Sequence, residues 1–299
     1  MLGRAPPSAD AVQNRQVRLC TFDEGEGPLT GLIEGESVRP LRDTVEMVEL
    51  IQRGAGWAPA APALPLHSVR LLAPIVPKRN VFCVGWNYAE HFAEGKAFRP
   101  AGAVQEIPEH PALFTKNPFA IVGPDAAIRH PAPISDQLDY EVELAVVIGR
   151  EGRDIAERDA LDHVFGYTIG NDVSVRDVQR TWHGGQWFKG KNFDTHLPLG
   201  PWIVTKDEIP DPQDLRLTTR VNGATKQDSN TKHMVFPVAR IIAELSAGLT
   251  LHPGDVIMTG TPEGVGMGRT PPEWLRPGDV VELEIEKIGI LRNHIERRS

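Results

Sequence analysis

The sequence predicts a β-rich α+β protein in which a small α+β unit precedes a larger unit made mainly of strands. Many short runs of β-branched and aromatic residues follow one another along the 299 residues, and only a few stretches show helical spacing. Strands and helices never alternate for long enough to build a doubly wound parallel sheet. The fold class therefore follows from the many strands and the few helices between them.

The first part of the chain divides into a lead-in, a small unit and a linker. Residues 1 to about 15 are polar, contain proline and lack periodicity, which predicts a disordered lead-in. The runs VRLCTF, LTGLIEG and SVRPL predict three strands, and an amphipathic helix is expected from about Thr44 to Gln52. The Ala-, Pro- and Gly-rich stretch GAGWAPAAPALPLH predicts a linker. We therefore expect a small domain at 16–74 and a larger one at 75–299.

The larger domain is expected to contain short helices at only three places. Residues 88–94 and 157–164 predict two of them, and FPVARIIAELSAG predicts the third, because its apolar residues recur at helical spacing before Gly248. The predicted strands are NVFCVG, ALFTK, YEVELAVVIG, VFGYTIGND, PLGPWIVT, LRLTTRVNG, DVIMTG and DVVELEIEKIG.

Overall composition excludes several classes of protein. The net charge is −8 at pH 7 and the basic residues are scattered, so we expect no nucleic-acid surface. No apolar run approaches the roughly 20 residues of a membrane-spanning helix, and the first residues lack the apolar stretch of a signal peptide. We therefore expect a cytoplasmic protein without membrane association. Cys20 and Cys83 lie in strand-like runs, which favours buried, reduced thiols over a disulfide.

Two glutamates stand out in the run DYEVELAVVIG. Glu141 and Glu143 alternate with apolar residues, so a strand places both carboxylates on one face. Adjacent carboxylates in a β-core are unfavourable unless a cation, a proton or solvent offsets their charge. On this feature alone, an exposed strand face with two solvated glutamates is the more ordinary explanation.

The run GYTIGNDVSVRD adds a third carboxylate. Asp172 follows an apolar strand, and a strand end often delivers a polar side chain to a pocket. A set of oxygen ligands selects Mg²⁺, Mn²⁺ or Ca²⁺ over zinc, and no Cys or His spacing in the chain resembles a zinc site. Together with Glu141 and Glu143, Asp172 predicts a divalent-metal site that leaves positions open for water or a chelating substrate.

A histidine and a glutamate form the next candidate pair. In GWNYAEHFAEG, Asn87 can cap a short helix ending at Gly95, and His91 and Glu94 then share one face of that helix. A carboxylate beside an imidazole orients the ring and raises its basicity, so the pair can take a proton from water. A surface or packing histidine is the alternative.

Cations and hydroxyls complete the set of candidates. Arg176 lies four residues after Asp172, and Lys191 lies in a Gly- and aromatic-rich turn, a context typical of pocket walls. The loop MTGTPEGVGMG lacks the spacing of a phosphate loop. Its Thr259 and Thr261 can still present hydroxyls to a substrate carboxylate, while a tight strand connection that needs glycine is the alternative.

Five motifs, taken in order, resemble the fumarylacetoacetate hydrolase family: DYEVEL, GNDVSVRD, FKGKNFDTHLPLGPW, MTGTPEGVG and PGDVVELEIEKIGILRN. The resemblance covers about residues 70–295, and the small N-terminal unit also looks like that of longer bacterial members. It implies a catalytic domain built as a mixed β-roll or sandwich, a homodimer, and a bound Mg²⁺ or Mn²⁺, with Ca²⁺ as a substitute.

The resemblance also implies roles for nine residues. The implied metal ligands are Glu141, Glu143 and Asp172. The implied catalytic residues are His91, Glu94 and Lys191, with the first two on a lid helix. The implied substrate contacts are Tyr88, Arg176 and Thr261.

The sequence departs from the family pattern where substrate choice is set. Trp86 stands where members often have Leu, Lys or Arg, and Lys232 and His233 stand where a smaller polar residue is common. The insertion KAFRPAGAVQEIPEHP follows the lid helix and is expected to shape the pocket entrance. A particular substrate therefore does not transfer from the family.

These features predict a divalent-metal-dependent hydrolase that cleaves a C–C bond in a 2,4-dioxo acid of the acylpyruvate or fumarylpyruvate type. His91, oriented by Glu94, would activate the water, and the metal with Lys191 or Arg176 would stabilise the enolate. The first alternative is an isomerase or decarboxylase acting on hydroxymuconate-type dioates or oxaloacetate. A metal-binding protein without turnover is the second. In the enzymatic cases the partner is a small 2-oxo acid.

Overall fold

The computed structural model describes residues 17–42, 46–54, 57–98 and 106–297. The lead-in expected at 1–15 lies outside these ranges. So do Thr44, where the first helix was expected to begin, and residues 99–105 of the insertion.

Strands make up most of the regular structure. The strands are β1 (Arg18–Asp23), β2 (Pro28–Glu34), β3 (Ser37–Pro40), β4 (Leu64–Pro65), β5 (Arg70–Leu72), β6 (Val81–Gly85), β7 (Ala112–Lys116), β8 (Ile121–Val122), β9 (Ala127–His130), β10 (Leu138–Asp139), β11 (Val142–Ile148), β12 (Val164–Asn171), β13 (Ser174–Val175), β14 (Leu197–Thr205), β15 (Arg216–Val221), β16 (Ala224–Asn230), β17 (Val256–Met258), β18 (Val280–Ile285) and β19 (Gly289–Arg297).

The helices are short and lie between the strands. The α-helices are α1 (Met47–Arg53), α2 (Ala89–Glu94), α3 (Arg176–Thr181), α4 (Phe188–Lys191) and α5 (Val238–Ser246). The 3₁₀ helices are Leu66–Ser68, Gly95–Phe98, Pro118–Ala120, Glu157–His163, His183–Gly185, Thr231–His233 and Gly266–Gly268.

The strands form one large sheet, one smaller sheet and a two-stranded ribbon. Ten strands of the large sheet follow the order β4-β3-β2-β1-β14-β12-β11-β17-β6-β7, while β5 adds to β1 and β8 adds to β14. The smaller sheet has the order β16-β15-β18-β19-β9, and the ribbon pairs β10 with β13. Neighbours are antiparallel except for β17–β6, β14–β8 and β19–β9, so both sheets are mixed.

Strand β11 lies between β12 and β17 in the large sheet and is buried along its whole length. Its side chains Leu144 and Val146 belong to the core shared with the smaller sheet and α5. Ala145 and Val147 point to the other face and belong to the core that includes α1 and β17. Glu143 precedes Ala145 by two residues, so its carboxylate lies on the same, otherwise apolar, face of the strand as Ala145 and Val147.

The predicted fold class is confirmed, with local corrections. The three N-terminal strands form as β1, β2 and β3, and the predicted helix at 88–94 is α2. The helix expected at 157–164 is a 3₁₀ helix over Glu157–His163, so that prediction was wrong in type. Because β1 pairs with β14, the N-terminal strands extend the large sheet. The domain division at residue 75 stays a prediction.

Neither cysteine is bridged, and both are buried. Burial raises the pKa of Cys20 to about 12, so its thiol stays protonated at neutral pH. This agrees with the expectation of reduced, unreactive thiols. Among the described residues, no helix is both long and apolar enough to cross a bilayer.

His196, just before β14, carries a pH dependence of stability. The residue has no exposed surface, and its Nε2 lies 2.9 Å from the Arg129 carbonyl oxygen, to which the neutral ring donates. Burial lowers its pKa from 6.5 to about 3. Below pH 6.5, His196 therefore binds a proton in the unfolded chain but stays neutral in the folded chain. The contribution of neutral His196 to the free energy of unfolding is complete above pH 6.5 and declines as the pH falls toward 3.

We expect His196→Gln to remove this pH dependence, because glutamine keeps an N–H donor but does not titrate. Between pH 6.5 and pH 5, the wild type should lose about 2 kcal/mol of unfolding free energy that the variant keeps. Urea unfolding at the two pH values measures the difference. Identical losses in the two proteins would show that His196 is protonated in the folded state.

Candidate functional site

Three carboxylates meet at one end of the central strand pair. Glu141 and Glu143 flank the first residue of β11, and Asp172 directly follows β12. Because β11 and β12 are antiparallel, with Val142 opposite Asn171, the start of one strand adjoins the end of the other. One oxygen from each carboxylate lies within 4.8 Å of those from the other two, and the residues are only 4%, 1% and 0% exposed. The solvated strand face considered for the glutamates is therefore wrong.

Three buried cations pair with this cluster. Lys191 Nζ lies 2.8 Å from Glu141 Oε2 and 2.8 Å from Asp172 Oδ2. Arg176 donates through Nη1 to Glu141 Oε1 at 2.6 Å, and Lys116 Nζ donates to Asp172 Oδ1 at 2.7 Å. The predicted proximity of Arg176 and Lys191 to the carboxylates is thus present in the structure.

Asp139 is a fourth buried acid, joined to the cluster through Arg176. Its Oδ2 accepts from Arg176 Nε at 2.7 Å and from the Met267 amide at 3.0 Å, and its Oδ1 accepts from the Gly266 amide at 2.7 Å. These bonds connect the end of β10 to the loop that follows β17. Asp139 therefore holds Arg176 through Nε, while Nη1 of the same guanidinium contacts Glu141.

Glu143 is the acid that no side-chain cation contacts among the described residues. It accepts a hydrogen bond from the Gly260 amide at 2.8 Å. Burial, followed by the charges of Asp172 and Glu141, raises the pKa of Glu143 well above its usual value. Burial also acts on Glu141, but Lys191 and Arg176 outweigh it and lower the pKa of that carboxyl, with a smaller effect from His91.

The charge balance of the cluster fits a bound divalent cation. Four buried carboxylates face three buried cations, so one negative charge, on Glu143, is not offset. Three carboxylate oxygens within reach of one another are the donor set that a hard cation prefers. A doubly charged ion would turn the local balance from one negative to one positive charge, which suits an anionic ligand.

Sequence reasoning missed Lys116 and Asp139. Lys116 ends the strand ALFTK, where a lysine is usually solvated, and only the fold brings it to Asp172. Asp139 had a signal, because Asp139, Glu141 and Glu143 alternate with single residues and share one face of an extended chain. The alternation therefore marked three acids, of which only two were singled out.

The predicted His–Glu pair forms on helix α2. His91 Nδ1 donates to Glu94 Oε2 at 3.2 Å, and both side chains are largely buried. Glu94 Oε1 also accepts from the Gly264 amide at 3.0 Å. A side chain at residue 268 would overlap the Glu94 carboxylate, so the glycine at this position allows Glu94 to pack against the loop. With Nδ1 held by Glu94, the Nε2 of His91 is the nitrogen left for a ligand.

The prediction that Asn87 caps α2 was wrong. Its side chain bonds instead to distant backbone, accepting from the Phe236 amide at 2.7 Å and donating to the Thr259 carbonyl at 2.7 Å. Helix α2 begins after Tyr88, which makes no side-chain cap. Asn87 therefore positions helix α2 by binding the residue before it to two other segments of the chain.

Tyr88 and Trp86 flank this anchor. Tyr88 is fully buried, and its hydroxyl has no partner among the described residues, so it is free to bond a ligand. Trp86 has a positive φ of 58°, which is unusual for a bulky residue. Its ring packs edge-to-face on Phe92 of α2 and on Trp187, with centroids 5.6 and 4.8 Å apart. Trp86 thus connects helix α2 to the loop before α4.

The loop at residues 259–268 joins these parts through its backbone. Gly260 donates to Glu143, Gly264 to Glu94 and Gly266 to Asp139, so three amides bind three of the acids already described. The first two glycines have φ values of 94° and 95°, which other residues rarely adopt.

The two threonines of this loop have different surroundings. Thr259 Oγ1 donates to the Leu144 carbonyl at 2.8 Å, so its hydroxyl is used within the fold. Thr261 Oγ1 accepts from Gln227 Nε2 at 2.9 Å. Gln227 was not singled out in the sequence, because an isolated Gln on a strand carries no spacing signal.

Lys232, His233 and the described end of the insertion are further positions at which the sequence departs from the family. Lys232 and His233 are exposed, and His233 Nδ1 lies 3.3 Å from Ser229 Oγ. Of the insertion, His110 pairs with Glu244 of α5 across 3.1 Å. No contact of these three residues with the carboxylate cluster is present among the described residues.

A buried set of acids and cations beside a His–Glu pair has the character of an enzyme active site, because perturbed ionisable groups concentrate where chemistry occurs. The chain belongs to the fumarylacetoacetate hydrolase family: the family described as "Fumarylacetoacetate (FAA) hydrolase C-terminal" matches residues 80–296. A second family, "Rv2993c-like, N-terminal", matches residues 17–74. The family predicted from the five motifs is confirmed.

Curated relatives with high similarity carry the name oxaloacetate tautomerase. "Oxaloacetate tautomerase FAHD2A, mitochondrial" of Bos taurus is 42% identical over 299 residues, covering 94% of this chain and 92% of the relative. "Oxaloacetate tautomerase YisK" of Bacillus subtilis is 46% identical over 231 residues, covering 77% and 74%.

Solved structures of the family match the fold over nearly its whole length. The fumarylacetoacetate hydrolase from Exiguobacterium antarcticum has a TM-score of 0.83 and 44% identity, covering 94% of this chain and 100% of that one. The 2-hydroxyhepta-2,4-diene-1,7-dioate isomerase from Mycobacterium marinum has a TM-score of 0.77 and 39% identity, covering 95% and 99%. The name of this isomerase, together with the names of the tautomerases, favours the isomerase alternative over the C–C hydrolase.

Proposed function

We propose that this protein is a metal-dependent isomerase that interconverts the keto and enol forms of a small 2-oxo dicarboxylic acid such as oxaloacetate. The names of its relatives support this reaction class. The observation that carries the proposal is the His91–Glu94 pair beside the buried carboxylate cluster, because it supplies a proton carrier next to a site for an anion.

Glu141, Glu143 and Asp172 are the proposed ligands of a Mg²⁺ or Mn²⁺ ion, with Ca²⁺ as a substitute. Their charge and spacing fit a hard cation, as the surplus charge on Glu143 indicates. When bound, the ion supplies Lewis acidity toward the oxygens of a 2-oxo acid. Lys191 and Arg176 hold Glu141 from two sides and fix the orientation of this ligand.

Proton transfer falls to His91. Enolisation removes one proton from the carbon next to the keto group and adds one to the keto oxygen, so the reaction needs a group that accepts and releases protons. Glu94 holds Nδ1–H of His91, which leaves Nε2 to exchange protons with the substrate. The unpartnered hydroxyl of Tyr88 and the hydroxyl of Thr261 are proposed to bind substrate oxygens.

The proposal is tested by adding purified protein with Mg²⁺ or Mn²⁺ to oxaloacetate and following the absorbance of the enol. We expect the enol to decay to its equilibrium level faster than in buffer, without release of pyruvate. Parallel assays with acylpyruvate, fumarylpyruvate and a hydroxymuconate dioate identify other products by chromatography. Cleavage of acylpyruvate without acceleration of the keto–enol exchange would contradict the proposal.

Hydrolysis of a C–C bond in a 2,4-dioxo acid is the second candidate. The observation that favours it is the similarity to the fumarylacetoacetate hydrolase from Exiguobacterium antarcticum. The His91–Glu94 pair is compatible with it, because the pair can activate a water as readily as it can move a substrate proton. The product assay separates hydrolysis, decarboxylation and isomerisation in one experiment.

The homodimer and the cytoplasmic location stay predictions, which light scattering and cell fractionation test.

Replacing His91 with glutamine is expected to lower kcat for enolisation by about 10²- to 10⁴-fold, because the proton carrier is lost. Stabilisation by Mg²⁺ should not change, since His91 is not a proposed ligand. Stopped-flow kinetics and a thermal-shift titration measure the two quantities. His110→Gln is the control, because it breaks a His–carboxylate pair of similar length at the surface and should leave kcat unchanged. Unchanged kcat in His91→Gln would exclude this histidine as the proton carrier.

A further inference from the structure

Gln227 lies on β16 at an irregularity in the pairing with β15. Thr219 is opposite Gln227, but Arg220 is opposite Thr225, so Lys226 has no partner on β15. An extra residue of this kind redirects the neighbouring side chains and is common beside active sites. The side chain of Gln227 is buried, so its polar groups must find partners within the protein.

Two backbone groups determine the orientation of the Gln227 amide. The Val142 N–H donates to Oε1 at 3.1 Å, and the Pro262 carbonyl accepts from Nε2 at 2.9 Å. A backbone N–H only donates and a carbonyl only accepts, so the oxygen and nitrogen of the amide cannot be exchanged. The Thr219 hydroxyl donates to the same Oε1 at 2.8 Å and agrees with this orientation.

This orientation determines what the Thr261 hydroxyl can do. Its oxygen accepts from Gln227 Nε2 at 2.9 Å, so its own proton is left for another acceptor. The described part of the chain provides no acceptor for that proton. Thr261 is 3% exposed and follows Gly260, whose amide donates to Glu143. The hydroxyl is therefore a buried donor next to the proposed metal site.

We propose that Gln227 is a positioning residue that sets the Thr261 hydroxyl as a hydrogen-bond donor to an anionic oxygen of the substrate. That oxygen is a carboxylate or enolate oxygen of the 2-oxo acid, so the inference rests on the proposed function. Without Gln227, the hydroxyl would be free to rotate and serve as donor or acceptor. With Gln227 in place, the hydroxyl favours an anion over a neutral group that would itself donate.

Gln227 also bonds to Val142, which lies between two proposed metal ligands, so its replacement can act through the metal as well as through Thr261. A double-mutant cycle separates the two effects, because only the route through Thr261 disappears when the hydroxyl is removed. The variants are Gln227→Met, Thr261→Val and the two combined. Thr219→Val is the matched control, since it removes a bond to Gln227 but leaves Nε2 and Thr261 untouched.

The measured quantities are the dissociation constant of oxalate at saturating Mg²⁺, by calorimetry, and kcat/KM for oxaloacetate. Oxalate is a small dianion that resembles an enolate and is not turned over. We expect Thr261→Val to weaken oxalate binding about 10- to 100-fold, as for a hydrogen bond to a charged group. Gln227→Met should weaken it by a smaller factor that still exceeds about twofold, because the hydroxyl remains but is no longer held as a donor. The double variant should be within about twofold of Thr261→Val, and Thr219→Val within about twofold of the wild type.

Three results would overturn the inference. The first is wild-type affinity in Gln227→Met, and the second is losses that multiply in the double variant, which would indicate a purely structural role. The third is a wild-type protein that binds no oxalate. If the wild type binds Mg²⁺ and oxalate but does not accelerate enolisation, the proposed function fails. The oxalate cycle then still decides the role of Gln227, because it needs no turnover.

Discussion

Replacing Glu143 with glutamine is expected to remove most of the stabilisation that Mg²⁺ gives the protein. At a Mg²⁺ concentration a hundredfold above its dissociation constant, the wild type should gain about 2.7 kcal/mol. Loss of a residue that only hydrogen-bonds to a metal ligand weakens metal binding about 10- to 100-fold. Loss of a charged ligand itself should therefore weaken Mg²⁺ binding at least about 100-fold. The variant is therefore expected to show almost no Mg²⁺-induced shift of its melting temperature.

The same substitution should change how the metal-free protein responds to pH. The pKa of Glu143 is raised in the folded state, so the unfolded chain releases its proton near the usual value of 4.5 and the folded chain at a higher pH. Between these values, the wild type loses stability as the pH rises, and glutamine removes this loss. Metal-free Glu143→Gln should then be at least as stable as the wild type at pH 8.

Thermal-shift titrations with and without Mg²⁺ at pH 6 and pH 8 measure both effects of Glu143→Gln. Glu24→Gln, in the exposed turn after β1, is the control and should behave as the wild type. An equal gain from Mg²⁺ in Glu143→Gln and in the wild type would remove Glu143 from the metal site. If the metal-free variant is less stable than the wild type at pH 8, the charge of the Glu143 carboxylate in the wild type is already neutralised by the protein without a metal ion.

Replacing Lys116 with methionine is expected to destabilise the protein by about 3–5 kcal/mol, because it leaves the Asp172 carboxylate buried without this partner. Lys116 and Asp172 have no exposed side-chain surface and lie 2.7 Å apart. A loss of this size is a large share of a typical stability of about 5–15 kcal/mol. Because Lys116 also donates to the Val173 carbonyl at 3.0 Å, the backbone after β12 should loosen too.

Urea unfolding measures this loss, and an exposed ion pair of the same length supplies the control. Arg216 and Asp228 also lie 2.7 Å apart but at the surface, so Arg216→Met should change stability little. The double variant of Lys116→Met with Asp172→Asn should recover part of the stability, since removing the Asp172 charge restores the charge balance that the loss of Lys116 disturbs. Equal effects of Lys116→Met and Arg216→Met would show that water reaches the Asp172 carboxylate.

Much of the fold was predictable because hydrophobic spacing is a local property. The alternation in VRLCTF and YEVELAVVIG appears as β1 and β11, and the helical spacing of FPVARIIAELSAG appears as α5. The helix expected at 157–164 has 3₁₀ geometry over Glu157–His163, a distinction that hydrophobic spacing does not make. The shared face of Glu141 and Glu143 was likewise predictable, because side chains two residues apart point the same way in a strand.

Periodicity and short motifs were enough to predict the fold class, the family and the three carboxylates that share a site. The group that faces each carboxylate is known only from the folded chain. Lys116 reaches Asp172 across 56 positions of the chain, and Asn87 reaches Phe236 across 149. Such pairs depend on which strands the sheets bring together, and spacing along the chain carries no record of that. For the same reason, only the folded arrangement identifies Glu143 as the acid that no side-chain cation contacts in the described part of the chain, the feature that points to a metal ion.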